Sequence, residues 1–311
     1  MSNTVDLIII GAGPAGLAAS IYASRYGVEH SVIGLILGGQ ISETHEIDNY
    51  PGMENMSGFD FSQKWGHHVE KYGINIIPQR VRSIKEAKES QTFEIELENN
   101  AVYNAKVVLL ATGTKRRQLN IPGEAEFRGK GVSYCATCDG FFYKNKTVGI
   151  IGGGDSAVGA ALYLANICQK VYIIYRKNEL RAEPFWLKLI ENNEKIELIY
   201  ETNVAKISGG DKLEKIELDK DYNGGKELKI DGLFIEAGSD PDISYAKDLE
   251  IKLDEGGYVK IAKDGATSMP GVWAAGDITD GSDKFRQVLT AAAEGAITAR
   301  SIFNWLKKQS K

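Results

Sequence analysis

Short apolar runs recur along this chain, each long enough for a buried strand. Two of them lead into a glycine-rich turn, then into apolar residues at helical spacing, then into a second apolar run. These segments are 5–10, 17–26 and 28–34 in the first unit, and 147–151, 158–168 and 171–175 in the second. Nearly continuous apolar strands are typical of parallel sheets that are covered on both faces. The pattern therefore predicts an α/β fold with two strand–turn–helix–strand units.

The same pattern predicts elements around these two units. We expect a helix at 59–72, strands at 93–97 and 102–110, a last buried strand at 272–277 and a long apolar helix at 288–305. Segments from both ends of the chain would thus complete the first unit.

Three segments late in the second unit alternate between apolar and polar residues and are separated by glycine-containing turns. They cover residues 196–204, 206–218 and 227–235. Alternation broken by such turns predicts hairpin-connected strands. We expect a small antiparallel layer that covers the second sheet.

The first glycine-rich turn has the GxGxxG spacing of dinucleotide-binding loops. Its residues are Gly11, Ala12, Gly13, Pro14, Ala15 and Gly16. The first glycine permits a tight turn, the second lets the backbone approach a pyrophosphate, and the third allows close packing of helix on strand. The helix that begins here also offers amide donors to an anion. The turn predicts a dinucleotide site, although no Asp or Glu occurs within 30–39 to bind the ribose.

The second glycine-rich turn repeats this motif and predicts a second dinucleotide site. Its residues are Gly152, Gly153, Gly154, Asp155, Ser156 and Ala157. The strand that follows the helix leads into the cations Arg176, Lys177 and Arg181, where an NAD-binding fold more often has an acid. Cations at this place can pair with a 2′-phosphate, so the sequence favours NADPH over NADH.

The strand at 102–110 ends in Ala111, Thr112 and Gly113, a small-residue exit suited to a backbone that passes close to a nucleotide. Residues 233–238 repeat such an exit. We therefore predict one discontinuous domain, 1–116 with 243–311, and one inserted domain, 117–242.

Two segments are predicted to lie over the ligand of the discontinuous domain. One is the polar loop 38–52, which could equally be a plain surface connection, and the other joins the last strand to the last helix. The candidate ligand-binding residues on them are Gly39, Gln40, Asn49, Gly276, Asp277, Arg286 and Gln287. Asp277 could bind a sugar-alcohol hydroxyl, and the last helix points its N-terminal amides at the same ligand.

A CxxC motif followed by an acid, from Cys135 to Cys138 and Asp139, lies inside the predicted inserted domain. Two such cysteines can close a disulfide, and one thiol of such a pair commonly has a lowered pKa. The adjacent carboxyl could donate a proton to a departing thiolate. A zinc half-site is the weaker reading, because no further ligand lies near in sequence and Cys168 falls in an apolar helical run. We predict no metal site.

Composition narrows the class of protein. The chain has 311 residues, 43% of them hydrophobic, and a net charge of −5. These values predict a globular protein of about two domains and argue against a nucleic-acid surface. No signal peptide or membrane span is evident, and three cysteines do not make a disulfide framework. We therefore expect a cytoplasmic protein.

Taken in order, these motifs resemble the low-molecular-weight thioredoxin reductases across nearly the whole chain. The resemblance implies FAD in the discontinuous domain, NADPH in the inserted domain and a homodimer. It implies that Cys138 lies against the flavin, that Cys135 attacks the disulfide of thioredoxin, and that Asp139 is the acid. It further implies that the NADPH domain rotates between the two half-reactions.

The chain departs from the family pattern in two places. Gly159 and Ala160 replace two acidic residues, and Tyr175 precedes the cations where a histidine is usual. The second departure leaves open a related dithiol flavoenzyme with another electron donor or a small dithiol substrate. A flavin-binding sensor without turnover is a third alternative.

Overall fold

The protein is described by a computed structural model covering residues 4–88 and 90–309. The outermost residues of the predicted discontinuous domain, 1–3 and 310–311, lie outside the described residues. The chain divides into two compact units, Met1–Lys115 with Pro241–Lys311, and Arg116–Asp240. We call them unit 1 and unit 2.

Strands account for most of the regular structure. In chain order they are β1 (Thr4–Ile10), β2 (His30–Ile33), β3 (Ile76–Ile77), β4 (Val81–Ala87), β5 (Thr92–Leu97), β6 (Val102–Leu110), β7 (Thr114–Arg116), β8 (Val132–Ser133), β9 (Thr147–Ile151), β10 (Lys170–Ile174), β11 (Ile196–Ile199), β12 (Val204–Gly209), β13 (Leu213–Tyr222), β14 (Gly225–Lys229), β15 (Gly232–Ile235), β16 (Ser239–Pro241) and β17 (Val272–Ala274).

The α-helices are α1 (Pro14–Arg25), α2 (Gly58–Glu70), α3 (Ala136–Asp139), α4 (Asp155–Ala165), α5 (Pro184–Ile190), α6 (Ser244–Asp248) and α7 (Val288–Gln309). Short 3₁₀ helices cover Gly39–Glu43, Gly140–Tyr143 and Ser282–Lys284.

The sheet of unit 1 has the strand order β3-β2-β1-β6-β5-β4, with β17 also paired to β6. β1 runs parallel to both neighbours, whereas β4, β5 and β6 pair antiparallel. Successive side chains of β1 enter opposite cores, Leu7 and Ile9 on one face, Ile8 and Ile10 on the other. Burial on both faces explains why this strand is apolar throughout.

Helices α1 and α7 cross closely on one face of this sheet. A Cβ on Gly295 would overlap the carbonyl oxygen of Ala15, so glycine is required at the crossing. Because α1 carries the glycine-rich turn at its start, α7 helps fix the position of that turn.

Unit 2 contains a five-stranded sheet of order β11-β10-β9-β15-β8, parallel throughout, and an antiparallel sheet β12-β13-β14. The α/β class is thereby confirmed. One prediction was partly wrong: the first part of 196–204 and the last part of 227–235 form β11 and β15 of the parallel sheet. Apolar periodicity identifies a strand of this length but not its partner.

The chain passes between the units twice, and the passing segments β7 and β16 pair with each other. Within unit 2, Arg116 pairs with Glu236 at 2.7 Å and Arg117 with Asp240 at 2.5 Å. Within unit 1, Lys115 pairs with Asp242 at 2.8 Å. Ion pairs therefore lie along both connecting segments.

Candidate redox site and dinucleotide sites

Cys135 and Cys138 form a disulfide in unit 2, with their Cα atoms 5.3 Å apart. Cys135 is the N-cap residue of α3, and the amide of Cys138 donates to Sγ of Cys135 at 3.1 Å. An amide aimed at this sulfur stabilises its negative charge once the disulfide is reduced. Cys138 is exposed and Cys135 is half-buried. The turn thus places Cys138 at the surface and directs an amide donor at the sulfur of Cys135.

Asp139, the last residue of α3, accepts a hydrogen bond from the hydroxyl of Ser133 at 2.7 Å. Ser133 is only 5% exposed and pairs with Phe234 across β8 and β15. Its oxygen also accepts the amide of Cys135 at 3.0 Å. Nearby, burial raises the pKa of Tyr143, and the negative charge of Asp139 adds to this effect. The structure therefore brings the predicted acid to the disulfide turn and supplies it with a donor.

A second anchor precedes the disulfide. The carboxylate of Glu124, 4% exposed, accepts the amides of Leu119 at 3.0 Å and Ile121 at 2.9 Å, and the hydroxyl of Tyr134 at 2.5 Å. Burial, together with the hydrogen bond to Glu124 and its negative charge, raises the pKa of Tyr134 to about 12. Arg128 lies over the Tyr134 ring, 5.2 Å from its centroid. The residue before Cys135 is thereby fixed to the preceding loop.

Two aromatic side chains follow the turn and face solvent. Phe141 is 71% exposed and Phe142 is 70% exposed. An adjacent pair of exposed phenylalanines is unusual on a folded surface and is typical of a protein-binding site.

In unit 1, the first glycine-rich turn connects β1 to α1. Gly11 has φ +119°, and a Cβ there would overlap the carbonyl oxygen of Ala111. A Cβ on Gly16 would likewise overlap the carbonyl oxygen of Gly11. Gly13 is the N-cap residue and Pro14 opens the helix, without a side-chain cap. The first amides of α1 are therefore left for an anionic ligand.

Two of the other predicted glycines lie close to this turn, and two predicted polar side chains contact each other. A Cβ on Gly276 would lie 2.9 Å from that of Ala15, and one on Gly39 would lie 3.3 Å from Cα of Gly13. The amide of Asn49 donates to the side-chain oxygen of Gln287 at 2.9 Å. Unit 1 thus joins side chains that lie 238 positions apart.

Gln40 and Thr112 make contacts toward the exit from unit 1. The side-chain amide of Gln40 donates to the carbonyl oxygen of Thr114 at 2.5 Å and to its hydroxyl at 2.7 Å. The hydroxyl of Thr112 donates to the carbonyl oxygen of Asp242 at 2.9 Å, and Gly113 accepts the amide of Asp242 at 3.0 Å. These residues fasten the two connecting segments to the end of the sheet.

Asp277 and Arg286 are the two charged residues that the sequence predicts for the first site. Burial raises the pKa of Asp277 to about 6, Arg286 opposes the shift, and Glu294 adds to it. The guanidinium of Arg286 lies 4.2 Å from the centroid of the Tyr258 ring. Its Nε is buried and has no hydrogen-bond partner among the described residues. A ligand with hydroxyls and a polar ring edge would satisfy both groups.

The second glycine-rich turn joins β9 to α4 in unit 2. Gly152 has φ +152°, and a Cβ there would overlap the carbonyl oxygen of Glu236 and lie 2.9 Å from that of Ala157. Gly154 caps α4 through its backbone alone, so the amides of Asp155 and Ser156 begin the helix without a side-chain acceptor. The carboxylate of Asp155 accepts the amide of Glu183 at 2.7 Å. Asp155 therefore holds the start of α5.

The predicted phosphate-binding cations are exposed at the end of β10. Arg176, Lys177 and Arg181 make no ion pair with a carboxylate among the described residues. The backbone amide of Arg181 donates to the carbonyl oxygen of Gly153 at 2.8 Å, which holds this cation beside the turn. The ring of Tyr175 is buried against Gly153, where a Cβ would come within 2.6 Å of three ring carbons.

The sequence pattern did not identify Ser133, Glu124, Tyr134 or the exposed phenylalanines as parts of the redox site. Proximity to the CxxC motif was an available signal for Ser133, Tyr134 and the two phenylalanines. Glu124 lies ten positions from Tyr134, and nothing in the pattern links the two.

Two negative findings concern only residues 4–88 and 90–309. Within them, no helix is long and apolar enough to cross a membrane. Nor do any three His, Cys, Asp or Glu side chains of this part of the chain form a group that could hold a metal ion.

Two dinucleotide-type folds and a dithiol–disulfide pair with a neighbouring acid define a nucleotide-dependent disulfide oxidoreductase. The profile of the family described as "Pyridine nucleotide-disulphide oxidoreductase" matches residues 5–295. The chain belongs to this family.

Within this family, the chain is similar to several thioredoxin reductases. The thioredoxin reductase of Helicobacter pylori is 40% identical over 97% of this chain and 99% of its own length. That of Bacillus subtilis is 35% identical over 97% of this chain and 95% of its own length. A crystal structure of Lactococcus lactis thioredoxin reductase in the FR conformation has a TM-score of 0.92 at 35% identity, covering 98% of this chain and 100% of that chain. The resemblance inferred from the motifs is confirmed.

Proposed function

We propose that this protein is a thioredoxin-disulfide reductase that uses NADPH and FAD. The observation that carries the proposal is the Cys135–Cys138 disulfide, which has an exposed sulfur side, an amide donor to Cys135 and a neighbouring carboxyl. This turn lies in the same unit as the second glycine-rich turn. A dithiol of this kind serves disulfide exchange, and a cytoplasmic location follows from the reducing environment that it needs.

The residues of unit 1 fit FAD. The uncapped start of α1 suits the pyrophosphate, and Gly11 keeps the backbone close to it. Asp277 can accept a hydrogen bond from a ribityl hydroxyl, and Nε of Arg286 still needs an acceptor. We therefore assign FAD to the domain 1–116 with 243–311.

The residues of unit 2 fit NADPH. The start of α4 suits a second pyrophosphate, and the backbone of Arg181 is bonded to the turn. Arg176 and Lys177 follow β10, the strand next to β9, and none of the three cations has a carboxylate partner among the described residues. Cations left without acids are suited to a 2′-phosphate. We assign NADPH to the domain 117–242.

Bound FAD would supply the two-electron chemistry, since a flavin can take a hydride from NADPH and pass the electron pair to a disulfide. Cleavage of the S–S bond leaves Cys135 as the stabilised thiolate, which attacks a sulfur of thioredoxin disulfide. Cys138 then attacks Cys135, the enzyme disulfide re-forms, and Asp139 provides a proton to the departing thiolate. The NADPH domain rotates between the two half-reactions so that the nicotinamide, which donates, and the disulfide, which accepts, reach the one flavin in turn.

The surface next to the disulfide suits a protein substrate. Phe141 and Phe142 follow the turn directly and are largely exposed. Aromatic side chains of this kind provide most of the binding energy in compact protein interfaces. We assign them to the docking of thioredoxin.

We also propose a homodimer. On α7, Leu289 and Ile297 are 45% and 50% exposed and lie eight positions apart, on the same side of the helix. Tyr22 of the neighbouring α1 is 42% exposed. A second copy of the chain is the partner that we assign to this apolar stripe.

One observation keeps a second candidate, a related enzyme with another electron donor. Tyr175 stands where the family usually has a histidine, and its ring is buried against Gly153 in the second turn. Anaerobic reduction of the purified yellow protein by NADPH, and separately by NADH, tests this point. Rapid bleaching by NADPH, followed by reoxidation with thioredoxin disulfide, supports the proposed function. A flavin that NADPH does not reduce favours the second candidate.

Cys135→Ser tests the residue roles. We expect loss of disulfide reduction while NADPH still bleaches the flavin. Cys168→Ala is the matched control, because Cys168 is buried and burial raises the pKa of its thiol to about 11. Disulfide turnover that persists in Cys135→Ser would contradict the assignment.

A further inference from the structure

Ser133 makes hydrogen bonds to both ends of the disulfide turn. Its hydroxyl donates to Oδ2 of Asp139 at 2.7 Å, and its oxygen accepts the amide of Cys135 at 3.0 Å. The carbonyl oxygen of Cys135 lies 3.3 Å from the same hydroxyl, so the bond to Asp139 is the shorter of the two that its single hydrogen can make. Neither contact involves a sulfur atom.

The backbone of Ser133 is fixed independently of the turn. Ser133 is paired with Phe234 across β8 and β15, and Phe234 is fully buried. The ring of Phe234 in turn packs edge-on against Tyr143, with centroids 5.4 Å apart. A buried hydroxyl on a paired strand has little freedom, so it can hold a carboxyl in one orientation.

We propose that Ser133 is a positioning residue for proton transfer at the disulfide, acting through the carboxyl of Asp139. The proposal rests on the proposed function. Ser133 itself touches neither substrate nor cofactor. Its hydroxyl donates to the carboxyl of Asp139 and so holds that carboxyl in one orientation.

The proton balance of the oxidative half-reaction shows at which step the orientation of the Asp139 carboxyl matters. The Cys135 thiolate attacks one sulfur of the substrate disulfide, that S–S bond breaks, and a mixed disulfide forms. The thiol of Cys138 gives its proton to Asp139 and attacks Cys135, re-forming the enzyme disulfide. The second substrate sulfur has already left as a thiolate when the substrate S–S bond broke. The sulfur held in the mixed disulfide now leaves as a second thiolate and takes the proton from Asp139. Two electrons pass from the enzyme dithiol to the substrate, and the carboxyl ends as it began.

Several other titratable or charged groups lie around this carboxyl. Tyr143 is the one coupled to it directly, and Asp231, Cys168 and Lys146 surround Tyr143. None of the last three is hydrogen-bonded to Asp139 among the described contacts, whereas Ser133 is. Replacing Ser133 therefore removes a hydrogen bond that Asp139 itself accepts, and leaves these other groups in place.

The test compares Ser133→Ala with Ser133→Thr, which keeps a hydroxyl on a residue suited to a strand. Full-length reduced holoenzyme is mixed with thioredoxin disulfide in stopped-flow experiments across pH 5 to 9. In Ser133→Ala we expect exchange to slow about tenfold near neutral pH. The part of the pH profile that Asp139→Asn abolishes should change in Ser133→Ala, because the hydroxyl that orients the carboxyl is lost. Ser133→Thr should restore both.

A second substrate separates proton transfer from structure. An aromatic disulfide releases a thiolate of low pKa, which leaves without a proton. Ser133→Ala should therefore slow reduction of the thioredoxin disulfide but not of the aromatic disulfide. Thr202→Val is the matched control, because it removes another buried hydroxyl of unit 2, bonded at 2.7 Å to the carbonyl oxygen of Tyr200. Its pH profile should match that of the wild type.

Each other outcome overturns the proposal. Equal slowing with both disulfides, or the same slowing in an Asp139→Asn background, means that Ser133 only maintains the turn. An unchanged pH profile in Ser133→Ala means that it does not act on the proton. A wild-type enzyme that leaves thioredoxin disulfide oxidised would instead refute the proposed function, so the two failures are distinct.

Discussion

The Glu124 carboxylate is the clearest target for a stability measurement. It is 4% exposed and holds three donors, the amides of Leu119 and Ile121 and the hydroxyl of Tyr134. Glu124→Ala removes the acceptor for all three at once. Tyr134→Phe removes only the hydroxyl and leaves the carboxylate with its two amides.

The magnitudes follow from these contacts. A hydrogen bond to a charged group contributes about 1.5–3 kcal/mol, so Tyr134→Phe should lower the free energy of unfolding by about 2 kcal/mol. Glu124→Ala leaves two amides and a hydroxyl without a protein acceptor. Water that enters the truncated site replaces part of these lost hydrogen bonds, so we expect the free energy of unfolding to fall by about 3–5 kcal/mol. In the double variant Tyr134→Phe should cost almost nothing further, a coupling of about 2 kcal/mol between Glu124 and Tyr134.

Thermal unfolding of the full chain and hydrogen exchange of individual amides measure the two effects. For domains of this size, 1 kcal/mol corresponds to a melting shift of about 2–6 °C. Exchange at Leu119 and Ile121 should rise strongly in Glu124→Ala and little in Tyr134→Phe. Tyr200→Phe is the control, because no hydrogen bond from its hydroxyl is described, and it should change stability by less than about 0.5 kcal/mol.

Additive losses in the double variant would refute the coupling between Glu124 and Tyr134. Unchanged exchange at Leu119 and Ile121 would show that Glu124 does not hold those amides in solution.

Alkaline pH gives an independent check. The raised pKa of Tyr134, about 12, means that its contribution is complete below pH 10 and is lost as pH rises toward 12. The free energy of unfolding of Tyr134→Phe should therefore fall less between pH 10 and pH 12 than that of the wild type.

Three further predictions concern the two ligand sites and the dimer. Arg181→Ala should raise the KM for NADPH about 10- to 100-fold and leave the KM for NADH nearly unchanged; equal effects on both cofactors would exclude a phosphate contact. The pKa of Asp277 is raised to about 6, so its charged form destabilises the cofactor-free protein, and this penalty grows as pH rises from 4 through 6. Asp277→Asn should therefore raise the melting temperature of the apoprotein at pH 7.5 but not at pH 4; a gain at both pH values would contradict the assignment. Ile297→Glu, on the exposed stripe of α7, should convert a dimer to monomers in sedimentation velocity, and an unchanged sedimentation coefficient would place any interface elsewhere.

Features encoded by short segments were accessible from the sequence. The first turn of each unit requires glycine at a fixed spacing for close backbone approach, and the structure shows that approach at Gly11 and Gly152. The CxxC motif fixes its own geometry, because two cysteines three positions apart in a helical turn lie within disulfide distance. In such cases local chain geometry determines most of the outcome.

Partners brought together by the fold were not accessible. The strand at 196–199 has the same alternation in a parallel sheet as it would have in a hairpin, and only pairing with β10 decides between them. The position of Asp155 in the motif predicts a ligand-binding residue, and the structure adds a contact that the motif does not predict, from the amide of Glu183 to its carboxylate. A side-chain acceptor near a turn has several possible donors in sequence, and tertiary packing selects one of them.

The two anchors of the disulfide turn share a property that bears on turnover. Tyr134 binds Glu124 before the turn, and Ser133 binds Asp139 after it, so neither anchor depends on the S–S bond. Cleavage of Cys135–Cys138 would otherwise free the short loop and make each reclosure cost conformational entropy. With both flanks held, the two sulfurs stay at a high effective concentration in the reduced state. Amide exchange across 134–139 should therefore be nearly the same in the oxidised and reduced enzyme, and should rise on reduction only when Glu124 or Ser133 is replaced by alanine.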